Sequence, residues 1–492
     1  MYKEKYNQWI ESSIIDLKTK EELKSITDEK EIEDRFYKDL EFGTGGLRGV
    51  IGAGSNRMNI YTVGKATQGY CDYLNNMYKN PSVAIAYDSR IMSKEFATRA
   101  ALVFAANKVK VHMFEDLRPT PMLSFAVREL ECSGGIVITA SHNPKQYNGY
   151  KVYGDDGCQV TDNLARDIIE CVNNVEGFED VKHISEKEAM DKGLLNYIES
   201  KIDESYIEKV KGLTIRKDLV SNKSENLNII YTPIHGSGLM PINRVLRDLG
   251  YSNLTIVEEQ REPNGEFPTV PYPNPEDPRV FDIALEKAKE INADVIFGTD
   301  PDCDRIGVVI KDNSGQWRVL TGNQTGMLLA NYIASSLKEM NLLKENSIVI
   351  KTIVTTDSIK HILKDFNVEV LEVLTGFKYI GEKIREFEEN NSKNFIFGLE
   401  ESYGYLAGDF VRDKDAVIAA TLIAEMSLYY KERKMSLYDG LIEIYEKYGY
   451  SKEKLISIDL KGKEGQEKIV NLINRFRDLG KDDITDINIV KK

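Results

Sequence analysis

The segment GGIVITASHNPKQYNGYK (134–151) begins with an apolar run that stops abruptly at a serine and a histidine, with two lysines further on. A short continuous apolar run of this kind predicts a strand that is covered on both faces by helices. Ligands of α/β proteins bind just beyond the carboxyl ends of such strands. We therefore expect Ser141 to be exposed at a strand end, where a nucleophile would be placed.

The same order of elements recurs three times along the chain. Each round has a strand, a helix and a second strand, and then a later strand that ends in a polar loop. The three loops come after the apolar runs in GGIVITASHNP (134–144), ADVIFGTDPDCDR (293–305) and NFIFGLEESYG (394–404). One loop from each round is expected to converge on a single cleft.

These rounds predict an α/β fold: three successive mixed-sheet α/β domains around a central cleft plus a partial α+β fourth domain. The predicted domains are 1–200, 201–320, 321–445 and 446–492. Residues 1–40 are expected to be helical. In the last domain we expect a strand over KLISIDL (454–460), a helix over EGQEKIVNLINRFRDLG (464–480) and a strand over ITDINIVKK (484–492). Because some 45 residues bury too little surface to stand alone, this fourth domain is expected to be incomplete.

Composition limits the classes of function. The 492 residues carry a formal net charge of −14, which is unfavourable for binding nucleic acid. The five cysteines are scattered without a C-x-x-C pair, which favours a reducing compartment. The first residues lack the apolar run of a signal peptide, and no segment reaches the ~18 apolar residues that span a bilayer. We expect a cytoplasmic protein, a monomer or homodimer, that binds neither nucleic acid nor membrane.

The loop after the first apolar run offers Ser141, His142 and Lys151. A nucleophilic serine beside cations fits chemistry on a phosphate. The alternative is an Asn-Pro turn that carries a surface serine. A serine hydrolase is disfavoured because the G-x-S-x-G elbow is absent.

The loop TDPDCDR (299–305) places Asp300, Asp302 and Asp304 at alternating positions. Crowded carboxylates repel unless a cation lies among them, and oxygen ligands favour Mg²⁺, Mn²⁺ or Ca²⁺. An EF-hand is excluded, since its sixth and twelfth positions would be Arg305 and Lys311. The alternative is a solvated acidic turn.

Two further motifs are less specific. GTGGLRG (43–49) supplies a flexible backbone and Arg48, and it matches neither a dinucleotide fingerprint nor a P-loop. GLEESYGY (398–405) places Glu400 and Ser402 where both could hydrogen-bond sugar hydroxyls. A glycine-rich turn and a capped turn are the respective alternatives. Candidate phosphate contacts, which could equally be solvated surface cations, are Lys378, Arg412 and Lys414.

TASHNP, DPDCDR, GLEES and GTGGLRG, in this arrangement, resemble the α-D-phosphohexomutases, within them the phosphoglucomutase and phosphopentomutase branch. The resemblance covers roughly residues 40 to 490. It implies four α/β domains around a deep cleft. It also implies a phosphorylated Ser141, Mg²⁺ held by the three aspartates and a phosphoserine oxygen, and a glucose 1,6-bisphosphate intermediate. Residues implied in phosphoryl and proton transfer are Arg48, His142, Lys151 and Arg305; those implied in sugar binding are Thr375, Gly376, Lys378, Glu400 and Ser402.

The fourth domain departs from the family pattern. The R-P-S-G-T stretch that grips the non-transferring phosphate there is missing, and we expect this to reflect truncation. Otherwise Lys414 would have to bind that phosphate. The expected activity interconverts a sugar 1-phosphate and 6-phosphate, with glucose favoured over mannose or pentose. A phosphosugar phosphatase or a non-catalytic sugar-phosphate-binding protein are the alternatives, and the sequence does not rank His142 and Lys151 as general base.

Overall fold

The computed structural model describes residues 2–43, 45–453, 456, 458, 460 and 462–479, and the chain divides into two compact units. The first unit combines Met1–Asp39 and Gly54–Asn56 with Lys452–Lys492. Its leading segment is helical as predicted, in three pieces: α1 (Tyr2–Glu11), α2 (Leu17–Ser25) and α3 (Glu29–Phe36). Trp9 and Phe36 are buried with ring centroids 5.7 Å apart, and they form the core of these helices.

The second unit, Leu40–Ala53 with Arg57–Ser451, contains three mixed sheets. The first sheet has the strand order β1-β5-β4-β2-β3-β6, with β5 antiparallel to both of its neighbours and the other pairs parallel. Its elements are β1 (Gly46–Val50), α4 (Ile60–Met77), β2 (Ser82–Tyr87), α5 (Ser93–Ala106), β3 (Lys110–Met113), α6 (Thr120–Glu129), β4 (Gly134–Ile138), β5 (Tyr147–Gly154), α7 (Asp162–Asn173), α8 (Glu186–Asp191) and β6 (Leu195–Tyr197).

The second sheet has the order β11-β10-β9-β7-β8, with β10 antiparallel to both of its neighbours. Its elements are α9 (Ser200–Gly212), α10 (Lys217–Lys223), β7 (Ile229–Thr232), α11 (Leu239–Asp248), β8 (Leu254–Ile256), α12 (Asp282–Ile291), β9 (Val295–Thr299), β10 (Ile306–Lys311) and β11 (Trp317–Val319).

The third sheet has the order β13-β12-β14-β15, with β15 antiparallel to β14. Its elements are α13 (Gly322–Glu339), β12 (Ser347–Thr352), α14 (Ser358–Lys364), β13 (Glu369–Val373), α15 (Phe377–Asn390), β14 (Asn394–Glu400), β15 (Gly404–Leu406), α16 (Ala416–Glu432) and α17 (Leu437–Tyr448). The prediction of three mixed-sheet α/β domains is confirmed, while the exact domain boundaries stay a prediction.

Each sheet contains the same strand-turn-strand arrangement. A buried strand that runs parallel to its inner neighbour (β4, β9 or β14) turns back into an antiparallel partner (β5, β10 or β15). The three turns carry the three polar motifs of the sequence. In each turn one non-glycine residue has a left-handed φ: +51° at Ser141, +52° at Cys303 and +66° at Tyr403. Left-handed backbone is costly for residues other than glycine, and it concentrates at functional sites.

The predicted fourth domain is described only in part. Helix α18 (Gly462–Asp478) agrees with the predicted helix. The predicted strand 454–460 falls partly on residues outside the described set, and its described residues are not in a strand. The predicted strand 484–492 lies entirely outside the described residues. Among the described helices, none is both long enough and apolar enough to cross a membrane.

Helix α16, the most buried helix of the third domain, depends on its N-terminal cap. Asp415 Oδ1 accepts the N–H groups of Val417 (2.8 Å) and Ile418 (2.9 Å), and Oδ2 accepts the hydroxyl of Tyr206 (2.7 Å). We expect Asp415→Ala to lower the free energy of unfolding by about 2–4 kcal/mol, since the cap is lost and a buried hydroxyl is left unpaired. Thermal unfolding measures this loss, with the exposed Asp409→Ala as control. Equal melting temperatures for the two variants would contradict it.

Candidate active site

Ser141 lies in the turn between β4 and β5. Its N–H donates to Thr139 Oγ1 (2.8 Å), and its Oγ donates to Asp300 Oδ2 (2.6 Å) and lies 3.3 Å from His142 Nδ1. The side chain was expected to be exposed, but Ser141 is only 3% exposed. The reason is that the turn of the second sheet packs directly over it.

Strand β5 brings Lys151 into the site. The sequence suggested a loop here, yet Tyr147–Gly154 pairs with both β4 and β1. Lys151 Nζ donates to Asp302 Oδ2 (2.7 Å) and lies 3.3 Å from Asp304 Oδ2. The ammonium group is therefore held by two of the three aspartates instead of solvent.

Asp300, Asp302 and Asp304 form one cluster in the turn between β9 and β10. One oxygen from each carboxylate can be chosen such that all three lie within 4.8 Å of one another, and all three residues are buried. Asp300 Oδ1 accepts the backbone N–H groups of Asp304 (3.1 Å) and Arg305 (3.0 Å). Asp302 Oδ2 accepts the hydroxyl of Thr120 (2.8 Å) from the first domain.

The cluster is suited to a divalent cation. Asp302 Oδ1 and Asp304 Oδ1 are buried and have no hydrogen-bond partner among the described residues. Buried carboxylate oxygens without partners are costly, and a cation that binds oxygen would satisfy them. The donor set is carboxylate oxygen throughout, which favours Mg²⁺, Mn²⁺ or Ca²⁺ over softer metals. Cys303 lies between the aspartates in sequence, and burial raises the pKa of its thiol well above the usual range, which disfavours a thiolate ligand.

The charges of the cluster are strongly coupled. Burial, together with the neighbouring carboxylates of Asp302 and Asp304, raises the pKa of Asp300 well above its ordinary value. Burial also acts to raise the pKa of Asp302, but the Lys151 ammonium, with hydrogen bonds from Lys151, Asp300 and Thr120, holds that pKa below its ordinary value. A bound cation would favour the ionised form of all three groups.

The arginines Arg48 and Arg305 lie near His142 and the aspartates. Arg48 lies on β1, opposite Gly149 of β5, and the close pairing of these strands requires Gly46, whose added Cβ would lie 1.8 Å from the Tyr150 carbonyl oxygen. Burial lowers the pKa of Arg48, an effect that the nearby Asp302 carboxylate opposes and the Arg305 charge reinforces. Burial, and then the charges of Arg305 and Arg48, lower the pKa of His142 well below its ordinary value.

Arg305 joins the second and third domains. Its guanidinium donates to the Ser402 carbonyl oxygen (2.9 Å), and its backbone pairs with Gly404 in an isolated β-bridge. The Ser402 carbonyl, not its hydroxyl, makes this contact. Glu400 is buried at the end of β14, and its Oε1 accepts the Gly376 N–H (3.0 Å). The two predicted sugar loops are therefore adjacent.

Two of the remaining predicted residues lie at the site. Lys414 belongs to the cluster, since its Nζ lies 3.1 Å from Asp304 Oδ2. Thr375 is exposed beside Gly376, in the loop that Glu400 binds.

The other two predicted residues, Lys378 and Arg412, pair with carboxylates outside the aspartate cluster. Lys378 binds Asp162 (2.7 Å). The structure does not bring Arg412 to the aspartates: its side chain is fully buried and forms an ion pair with Glu388. Sequence spacing alone could not reveal that the Arg412 side chain pairs with Glu388 while that of Lys414 contacts Asp304.

Sequence reasoning missed Asp88, Arg90 and Thr120. All three are buried and contact the serine turn or Asp302. Asp88 and Arg90 come directly after β2, so their position at its carboxyl end was the available signal. Thr120 gave no comparable signal, because it stands at the start of a helix.

The comparisons with known proteins agree with this geometry. The family models for the phosphoglucomutase/phosphomannomutase α/β/α domains I, II and III match residues 39–178, 204–315 and 321–448, and this chain belongs to that family. The chain is 38% identical over 445 residues to a phosphoglucomutase of Staphylococcus haemolyticus, covering 90% of this chain and 79% of the relative. It is 36% identical over 472 residues to one of Staphylococcus epidermidis, covering 96% and 84%.

Solved structures show the same fold. A putative phosphomannomutase from Thermus thermophilus superposes with a TM-score of 0.70 at 23% identity, covering 86% of this chain and 89% of that one. A phosphoglucomutase/phosphomannomutase family protein from Burkholderia thailandensis gives 0.67 at 20% identity, covering 92% and 87%. The predicted family is confirmed, and so is the predicted enzyme class, a phosphohexomutase.

Proposed function

We propose that this enzyme interconverts glucose 1-phosphate and glucose 6-phosphate through a phosphoserine at Ser141. The observation that carries the proposal is the direct contact between Ser141 Oγ and Asp300 (2.6 Å) inside a buried three-aspartate cluster. Binding alone would not require a buried hydroxyl against carboxylates. The names of the staphylococcal relatives support glucose as the sugar.

The proposed cycle has two transfers. The bond between phosphorus and Ser141 Oγ breaks while a bond forms to the free hydroxyl of the sugar monophosphate, whose proton passes to a base. The glucose 1,6-bisphosphate then turns over in the site, and the bond between its other phosphorus and the sugar oxygen breaks while a bond forms to Ser141 Oγ. The base returns its proton to the departing sugar oxygen, which releases the isomeric monophosphate and restores the phosphoserine. Such transfers depend mainly on positioning and charge neutralisation.

Asp300, Asp302 and Asp304, with a phosphoserine oxygen, are the residues that would hold Mg²⁺. Bound there, Mg²⁺ would supply Lewis-acid polarisation of the transferring group. Phosphoserine carries about −1.5 to −2 charges at pH 7, which three nearby carboxylates would oppose. Lys151 and Lys414 contact the aspartates and offset part of this repulsion. Arg48 and Arg305 are proposed to bind the phosphoryl oxygens.

His142 is the better-placed proton acceptor. Its Nδ1 lies 3.3 Å from Ser141 Oγ, next to the phosphoryl group that would be transferred. Lys151 is already engaged by Asp302 and Asp304, so we assign it to charge compensation. Arg412 has no role in this proposal because it pairs with Glu388.

A coupled assay tests the proposed function. Wild-type protein with Mg²⁺, catalytic glucose 1,6-bisphosphate and glucose 1-phosphate should form glucose 6-phosphate without releasing inorganic phosphate. Mannose 1-phosphate and ribose 1-phosphate, tested in parallel, should turn over more slowly. Release of inorganic phosphate as the main product would instead identify a phosphosugar phosphatase.

Glu400 is expected to bind the sugar without affecting the phosphoserine. Glu400→Gln removes a buried charged acceptor at the Gly376 loop, so kcat/KM for glucose 1-phosphate should fall about 10–100-fold. Intact-mass measurement should still find one phosphate on the protein. Glu388→Gln, at the Arg412 pair, is the control and should leave kcat/KM unchanged. Loss of the phosphate with normal sugar kinetics would show that Glu400 serves the serine instead.

We also propose a cytoplasmic location. The support is chemical: all five cysteines are free thiols, four of them buried. Free thiols of this kind persist in reducing compartments.

A further inference from the structure

A buried arginine from another part of the first sheet binds the turn that carries Ser141. Arg90 comes after β2, and it is 3% exposed. Its Nε donates to the Ser141 carbonyl oxygen (3.2 Å), and Nη2 donates to the same oxygen and to that of Asn143. Nη1 donates to the carbonyl oxygens of Pro144 (3.0 Å) and Tyr147 (3.1 Å).

Asp88 fixes the other end of the same turn. Its Oδ2 accepts the hydroxyl of Thr139 (2.6 Å), and Thr139 Oγ1 in turn accepts the Ser141 N–H. Its Oδ1 accepts the Arg90 N–H (2.9 Å) and the Ser93 hydroxyl (2.7 Å). The backbone on both sides of Ser141 is thus bound by one buried Asp–Arg pair, whose Nε and Oδ2 are 3.6 Å apart.

Ser141 needs such support because its φ is +51°. A left-handed conformation is unfavourable for a non-glycine residue, and it persists only where surrounding contacts enforce it. Five hydrogen bonds from one guanidinium to four carbonyl oxygens provide that enforcement in a fixed planar geometry. A lysine could not reproduce the geometry, since its ammonium is a compact point charge.

The pair also contacts the second domain. The ring of Phe267, which is 2% exposed, covers the Arg90 guanidinium at 5.3 Å. At Gly265 an added Cβ would lie 2.4 Å from the Ile91 backbone nitrogen, so the 265–267 segment rests directly on the Arg90 turn. The domain that carries the aspartates therefore packs against the arginine that holds the serine turn.

We propose that Arg90, together with Asp88, is a positioning residue that holds Ser141 in line for phosphoryl transfer, and that Phe267 couples this position to the aspartate domain. The Arg90 side chain binds the turn through backbone carbonyls, so it acts through Ser141 and not on the sugar. The inference rests on the proposed mutase function. We expect an effect on the transfer step more than on substrate affinity.

The test uses Arg90→Met in the full chain, with kcat, KM, phosphate content and melting temperature as readouts. We expect kcat to fall about 100-fold, as for a misplaced reacting group, with KM changed less than about threefold. Loading of Ser141 by glucose 1,6-bisphosphate, measured by intact mass, should slow by a similar factor. Arg90→Lys should restore kcat only in part, and Phe267→Leu should lower kcat less than Arg90→Met does.

Arg118 provides a matched control. It too comes after a strand of the first sheet, pairs with a carboxylate (Asp203, 2.7 Å) and lies over a ring (Phe114, 5.7 Å). Its guanidinium donates to Asp203 and to the Leu117 carbonyl oxygen, whereas that of Arg90 donates to the serine turn. Arg118→Met should lower the melting temperature and leave kcat near that of the wild type.

Several outcomes would overturn the inference. Equal kcat losses in Arg90→Met and Arg118→Met would do so, as would a folded Arg90→Met with wild-type kcat. If Arg90→Met fails to fold, wild-type kcat in both Arg90→Lys and Phe267→Leu overturns it. An inactive wild type would instead refute the mutase function itself.

Discussion

Ser141→Ala is expected to eliminate mutase turnover, with a loss of about 10⁴-fold or more, because the phosphoryl group loses its point of attachment. Ser141 Oγ is the hydroxyl that meets Asp300 inside the aspartate cluster. The wild-type protein, incubated with glucose 1,6-bisphosphate, should gain the mass of one phosphate. The variant should gain none.

The fold should survive this change. Alanine keeps the backbone contacts of the turn, because Arg90 and Thr139 bind main-chain atoms of Ser141. Ser133→Ala, just before β4, is the matched control and should retain both phosphate and activity. Wild-type turnover by Ser141→Ala would remove this serine from the mechanism.

The second large effect is expected at the aspartates. Asp302→Asn should lower kcat about 10²–10³-fold and weaken Mg²⁺ binding about 10–100-fold, since it removes one charge from a buried oxygen cluster. The buried Oδ1 atoms of Asp302 and Asp304, neither of which has a hydrogen-bond partner among the described residues, motivate this expectation. EDTA should silence the wild type, and Mg²⁺ should restore it.

Metal binding can be measured without turnover, by calorimetry with Mg²⁺ or by the electron paramagnetic resonance of Mn²⁺. Asp312→Asn is the control, because Asp312 lies in the same domain but pairs with Arg318. Full activity in chelator, or unchanged cation affinity in Asp302→Asn, would refute the metal assignment.

The strand ends of this protein were predictable from its sequence. The continuous apolar runs before Ser141, Asp300 and Glu400 identified β4, β9 and β14, because such runs reflect burial on both faces. The rule for α/β sheets then placed polar residues at their carboxyl ends. The three domains, the serine turn and the aspartate turn could all be predicted in this way.

The segments beyond each turn were harder to predict. Strand β5 was missed because NGYKVYG mixes glycine with polar residues, and only its pairing with β4 and β1 fixes it. Arg412 and Lys414 contact different carboxylates because their side chains point in different directions from one loop. Sequence spacing does not determine those directions. Arg90 was missed because one arginine after a strand resembles any solvated cation until tertiary contacts bury it.

The site residues are far apart along the chain, so the site can form only late during synthesis on the ribosome. Ser141 and Asp300 are 159 positions apart, and Thr120 and Asp302 are 182 apart. At a translation rate of about 5–20 residues per second, the aspartates are synthesised about 10–30 s after the serine turn. A nascent chain therefore has the hydroxyl without the acidic cluster, and under the proposed mechanism it would not yet load its own serine. Phosphate on Ser141 would thus mark a polypeptide whose second domain has been translated and docked.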